Sequence, residues 1–149
     1  MFRTIDLPPV WLVAAMALAW SISWVYPGMT VDSLALDVAG YALIGVGVGV
    51  MIWCAVLFRR RRTSIIPRNI PDAIVTDGPY RFSRNPIYLA DAVILFGWIL
   101  VIGSPVALLL VPAFVLIINK RFISGEEAVL RQEFGDAFSD WSRKVRRWI

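Results

Sequence analysis

Three stretches of the chain carry almost no charge: residues 7–31, 38–58 and 86–119, the last interrupted only by Asp91. Each is long enough to cross a bilayer, which takes about 20 predominantly apolar residues in helical form. The composition agrees, with 58% apolar and 17% charged residues and a mean hydropathy of +0.68, beyond what a soluble domain of this size shows. A length of 149 residues leaves room for one compact unit once the spans are subtracted. The expectation is an all-α, polytopic membrane protein, a single integral-membrane domain over residues 1–149.

The third run is too long for one span and has Gly103-Ser104-Pro105 at its centre, so it reads as a tight hairpin of two short spans. That makes four transmembrane helices. All fifteen Lys and Arg residues then share one side, among them Arg3, Arg59 to Arg62, Arg68, Arg81, Lys120, Arg121 and Arg143 to Arg147. The loop between Tyr26 and Val38 holds Asp32 and Asp37 but no base, and the hairpin tip is uncharged. By the positive-inside rule both termini are cytoplasmic, and a three-span arrangement would put the last basic group on the wrong side. Ala17-Leu18-Ala19 imitates a signal-peptide cleavage site, but the apolar run continues through Trp20, Ile22 and Trp24, longer than a signal sequence carries.

The chain has no histidine, and its single cysteine, Cys54, sits in an apolar run. Histidine-cysteine zinc sites, Ser-His-Asp triads and disulfide frameworks are therefore excluded. The net charge of +4 is distributed as an anionic leaflet would select it, so no nucleic-acid partner is expected. Gly45, Gly47 and Gly49 lie in a span rather than a strand-turn-helix unit, which rules out a dinucleotide loop. Gly45 and Gly49, at four-residue spacing, read as a small-residue face for close helix packing. After Ser124, the recurrence of Leu130, Phe134, Ala137, Phe138, Trp141, Val145 and Trp148 predicts an amphipathic helix lying along the cytoplasmic interface.

Two polar segments flank the hairpin. In Asp77-Gly78-Pro79-Tyr80-Arg81-Phe82-Ser83-Arg84-Asn85-Pro86-Ile87-Tyr88, Asn85 suits an N-cap and Pro86 the first helical position. Capping requires neither Arg84 nor Tyr88, however. Asp91, the only ionisable residue inside a span, lies a turn beyond Tyr88. A site role and a buried ion pair with Arg84 or Arg81 explain it equally well. In Lys120-Arg121-Phe122-Ile123-Ser124-Gly125-Glu126-Glu127, Ser124 and Glu127 fit a capping box. The hairpin topology brings the two segments to one membrane face, where arginine and paired carboxylates suit the two ends of an amino-acid zwitterion.

The motifs Gly78-Pro79-Tyr80, Arg84-Asn85-Pro86-Ile87-Tyr88, Glu126-Glu127-Ala128-Val129-Leu130, Phe134-Gly135 and Val145-Arg146-Arg147, in this order, resemble the membrane-embedded methyltransferases that include isoprenylcysteine carboxyl methyltransferases and phospholipid N-methyltransferases. The resemblance covers roughly residues 76–146. It implies S-adenosyl-L-methionine as methyl donor, with Tyr80, Arg84, Asn85, Pro86, Tyr88, Glu126 and Glu127 as cofactor-binding positions. It also implies a lipophilic acceptor, a carboxylate or an amine, entering from the bilayer of a bacterial inner membrane, with Arg121 a candidate for orienting it. A carboxylate needs no base, whereas a protonated amine must lose its proton, and Asp91, Glu126 or Glu127 is then the candidate base. Asn85 stands where the family has histidine and Ala90 where it has glycine, while Phe138 and Trp141 replace tyrosines. An asparagine hydrogen-bonds but cannot titrate, so a base at that position is lost.

Two competing readings remain at this stage. Membrane sterol and enone reductases resemble the same region and use NADPH, whose 2′-phosphate the Arg59 to Arg62 run would grip. A non-catalytic membrane subunit would use only the Gly45 and Gly49 face. The sequence leaves the acceptor and the oligomeric state open.

Overall fold

The computed structural model describes residues 7–61 and 74–149; Arg3, Arg62 and Arg68, assigned above to the cytoplasmic side, lie outside them. Five α-helices make up the described fold: α1 (Pro8–Val25), α2 (Leu34–Arg61), α3 (Pro86–Val101), α4 (Leu110–Ile118) and α5 (Ser124–Lys144). No strand occurs among the described residues, as an all-α reading requires. Pro8 and Pro86 each sit in the first turn of their helix, where a missing N–H costs nothing. Three helical runs are long and apolar enough to cross a membrane: Pro8–Val25, Leu34–Arg61 and the continuous Pro105–Lys144. The fourth expected span, α3, has 16 residues. At 1.5 Å per residue it covers about 24 Å, short of a hydrocarbon layer of about 30 Å. Asn85-Pro86 fixes its start, and the turn at Gly103 limits its end.

At one end of the bundle the α1–α2 connection meets the hairpin tip. The Val31 N–H donates to the Gly103 carbonyl at 2.8 Å. Gly103 has φ +60, and a Cβ there would lie 2.3 Å from the Val31 oxygen, so two backbones touch where only glycine fits. This joins the two segments that lack basic residues. The arginine-rich segments gather at the opposite end.

α2 packs along α3 through backbone contact. A Cβ on Gly40 would come within 2.6 Å of the Gly97 carbonyl oxygen, one on Gly97 equally close to that of Gly40, and one on Gly47 within 2.5 Å of Ile94 Cγ1. The small-residue face is thus Gly40 and Gly47, two turns apart on α2, the first against Gly97 and the second against Ala90 and Ile94. Gly45 and Gly49, assigned to it by their spacing, have nothing within 4 Å. Which stripe of an apolar helix is covered depends on where the partner lies, and spacing alone does not give that. α1 crosses α3 with Trp98 Nε1–H donating to the Met16 carbonyl at 3.1 Å. Few residues of α1 and α2 are buried, and large apolar side chains such as Trp20, Trp24, Tyr41 and Trp53 face outward, as lipid-facing surfaces do. The core between α1, α3 and α4 holds Leu95, Ile99, Phe114, Ile118, Phe122 and Ile123.

α4 does not stop before α5. A five-residue π-helical turn, Asn119–Ile123, carries the chain from one into the other, a widening of the helix that often accompanies function. Ser124 therefore has helical dihedrals (φ −62, ψ −37), and its hydroxyl donates back to the Asn119 carbonyl at 2.9 Å. The expected capping box between Ser124 and Glu127 does not form, because no helix begins there and the Glu127 carboxylate has other partners. α5 also departs from a single amphipathic helix. Gly135 (φ 48, ψ −116) kinks it, and the helix ends at Lys144, with Val145 extended (φ −118, ψ 129). Val145 and Trp148, read above as helical positions, belong to a non-helical closing segment that bends at residues 145 and 147, with Trp148 packing on the main core.

Candidate functional site

Residues 77–81 form a 3₁₀ turn, with the Tyr80 N–H donating to the Asp77 carbonyl at 3.1 Å. Gly78 has φ +56 and rests against the Trp53 indole, and Asp77 is paired with Arg61 at the end of α2. Tyr80 is buried beside Cys54 and Val75, its ring 5.7 Å from that of Phe58. Burial pushes its hydroxyl well up from the ordinary phenol value, with the nearby Cys54 and Glu126 adding to the effect, so the phenol stays neutral.

The next turn, residues 83–85, is clasped by the closing segment. The Arg84 N–H donates to the Arg146 carbonyl at 2.9 Å, and the Ser83 hydroxyl donates to the Arg147 carbonyl at 3.3 Å. Asn85 occupies the N-cap position of α3, but its side chain caps nothing. Its Nδ2 donates instead to the Arg147 carbonyl at 3.1 Å. The sequence gives this asparagine as a helix cap; the structure gives it as a tether. Pro86 is buried behind it.

Arg84 projects from this turn into the space between α3 and α5. Its Nε donates to Glu127 Oε1 at 3.1 Å, and its Nη1 donates to the carbonyls of Ser142 at 2.8 Å and Val145 at 3.3 Å. A guanidinium thus closes the C-terminal end of α5, where the helix dipole favours a cation. Arg147 approaches Glu127 from the other side, Nε to Oε1 at 3.1 Å and Nη2 to Oε2 at 2.5 Å, while its Nη1 reaches Asn119 Oδ1 at 3.0 Å. One turn into α3, the Tyr88 hydroxyl donates to Glu126 Oε1 at 2.7 Å. Arg84, Asn85, Tyr88, Glu126 and Glu127 are therefore gathered at one end of the bundle by two segments far apart in the chain.

The remaining predicted positions fall differently. Asp91 is 1% exposed, and its Oδ1 accepts no hydrogen bond. The ion pair with Arg84 or Arg81 is not formed, since Arg84 is committed to Glu127 and the end of α5, and Arg81 is exposed. Arg121 lies on the π-helical turn with its guanidinium 5.3 Å from the centroid of the Trp11 ring in α1, a cation–π geometry. Arg147, which is not among the predicted site positions, takes part as well, and its one sequence signal is the closing Val145-Arg146-Arg147 motif.

Beside Glu127, an open cleft of about 430 Å³ is lined by Ser124, Glu127, Ala128, Arg131, Gln132 and Arg147. It presents carboxylate, guanidinium, amide and hydroxyl groups together, and of the predicted cofactor positions Glu127 alone lines it.

Residues 36–137 match the protein family described as phospholipid methyltransferase. The chain is 41% identical over 63 residues to an uncharacterized protein of Haemophilus influenzae, covering 42% of this chain and 100% of that protein. It is also 36% identical over 81 residues to a protein-S-isoprenylcysteine O-methyltransferase of Schizosaccharomyces pombe, covering 52% of this chain and 33% of that protein. The match with the second relative thus spans about a third of its length.

Proposed function

The chain belongs to the phospholipid methyltransferase family, and on that premise we propose that it transfers a methyl group from S-adenosylmethionine to a lipophilic acceptor at the cytoplasmic face of the membrane. The observation that carries this reading is the buried pairing of Arg84 with Glu127 at 3.1 Å, beside Tyr88 and Glu126. It supplies charges of both signs at the end of a lipid-facing bundle. Glu126 and Glu127 would hold the donor's ammonium group, and its carboxylate would fall to Arg84 Nη2 and the second hydrogen of Asn85 Nδ2, the donors left after their bonds to Glu127, Ser142, Val145 and Arg147.

The donor, when bound, supplies a methyl group already activated on a sulfonium. What the protein must add is alignment of acceptor with donor and exclusion of water. The apolar outer faces of α1 and α2 suit an acceptor soluble in lipid, whose polar end Arg121 would orient. A carboxylate acceptor needs no base. An ammonium must first lose a proton, and Asp91, unpaired among the described residues and one turn beyond Tyr88, is the group for that task.

The test compares ligands by thermal shift in detergent. Stabilisation by S-adenosylhomocysteine but not by NADPH is expected; the reverse would establish the reductase reading. That reading draws no support from Arg61, which is paired with Asp77. Incubation with labelled methyl donor and a total lipid extract then identifies the acceptor from the labelled product.

A further inference from the structure

Glu127 has 9% of its side chain exposed, and a carboxylate so far out of water must have its charge and lone pairs met by the protein. It offers about four acceptor positions. Arg84 Nε and Arg147 Nε share Oε1, and Arg147 Nη2 takes one position on Oε2. One position on Oε2 is left over, and Glu127 and Arg147 both line the cleft. Arg147 is the residue that fixes where it points. It is itself fixed at both ends: Asn119 holds Nη1, and its carbonyl receives Ser83 and Asn85. It also lies outside residues 36–137, over which the family match runs.

We propose that Arg147 is a positioning residue of the donor site. By gripping both oxygens of Glu127 it sets the carboxylate in the one orientation that leaves an acceptor position open to a ligand N–H, and it draws the closing segment against the 83–85 turn as a wall of the niche. This rests on the reading that Glu127 receives the donor's ammonium. The effect of Arg147 runs through Glu127, so the two residues must not act independently on binding. A lysine in place of Arg147 keeps the charge but, as a point donor, cannot bridge two oxygens in fixed geometry.

The experiment measures S-adenosylhomocysteine affinity by calorimetry on the full chain in detergent, together with donor KM and kcat for methyl transfer to a lipid extract. Arg147→Gln is expected to raise Kd and donor KM about tenfold or more while kcat stays within about threefold, because binding rather than the reacting atoms is disturbed. Arg147→Lys is expected to restore part of that loss and serves in its place if Arg147→Gln does not fold. In the Glu127→Gln background, Arg147→Gln is expected to add little. Unchanged Kd in Arg147→Gln and Arg147→Lys, with only the melting temperature lowered, would overturn the proposal, as would losses that multiply in the double variant. Wild-type protein that binds no S-adenosylhomocysteine would instead remove the donor reading, and this proposal with it.

Discussion

Arg84 and Glu127, 43 residues apart in the chain, meet at 3.1 Å with 15% and 9% of their side chains exposed. The contact has a structural role beside the ligand role proposed for it, since the same guanidinium closes the end of α5 through the Ser142 and Val145 carbonyls. Arg84→Ala removes both, and is expected to cost about 2–3 kcal/mol of stability, near the lower end for breaking a buried charged pair because Arg147 still holds Glu127. Glu127→Gln keeps an acceptor oxygen and should cost less. Both are expected to weaken S-adenosylhomocysteine binding about tenfold or more. Calorimetric titration giving wild-type affinity in both would remove the donor from this pair.

The helix contacts separate two kinds of glycine in α2. At Gly40 an added methyl meets the Gly97 carbonyl at 2.6 Å, a backbone atom that cannot move aside without parting the helices. Gly40→Ala and Gly97→Ala are expected to destabilise the protein by about 1–3 kcal/mol through overpacking. Gly45→Ala and Gly49→Ala, which meet nothing within 4 Å, are expected to be neutral or to gain up to about 1 kcal/mol from helix propensity. Thermal unfolding of the four variants in one detergent checks the order; equal losses at all four would mean that α2 and α3 pack through another face.

The meeting of Arg84 with the Glu126-Glu127 pair is legible in the sequence, because charge-free runs set the spans and the turn at Gly103 makes the last two antiparallel. Connectivity alone then puts the two polar segments at one end. What the sequence does not disclose is how the ends are finished. Ser124 and Glu127 carry a capping pattern, yet the π-helical turn at Asn119–Ile123 satisfies the backbone without a cap. The apolar period runs on through Val145 and Trp148, but those residues pack from a non-helical closing segment, and a period of three to four cannot distinguish this from another helical turn. Arg147 looks like one more basic residue among the fifteen until the chain has folded back.

Gly135 kinks α5 ahead of the closing segment. Its dihedrals, φ 48 and ψ −116, belong to a region that residues with a Cβ avoid, although there is ample room around the position itself. The restriction is therefore conformational and not one of space. Gly135→Ala is expected to lose about 1–3 kcal/mol. Because straightening α5 would carry Ser142 and Val145 away from Arg84, it should also weaken S-adenosylhomocysteine binding. Limited proteolysis offers a second readout, with cleavage near residues 142–147 expected to rise. A variant with wild-type stability would show that α5 tolerates a straight form.

Asp91 presents the opposite balance between stability and function. Its carboxyl group is covered by protein, Oδ1 has no hydrogen-bond donor, and no ion pair offsets its burial among the described residues. A group so placed burdens the fold, since burying a polar group without a partner costs about 1–3 kcal/mol. Asp91→Leu, which keeps the branched outline of the carboxyl group without its polar atoms, is expected to raise the melting temperature while abolishing transfer to an amine acceptor. Transfer to a carboxylate acceptor, which needs no base, should survive in part. The outcome to look for is the pairing of the two measurements on one preparation. A more stable variant that has lost activity marks Asp91 as a group kept for chemistry at a cost to the fold, whereas a variant that is less stable and fully active would make it a structural residue whose partner forms only in the membrane.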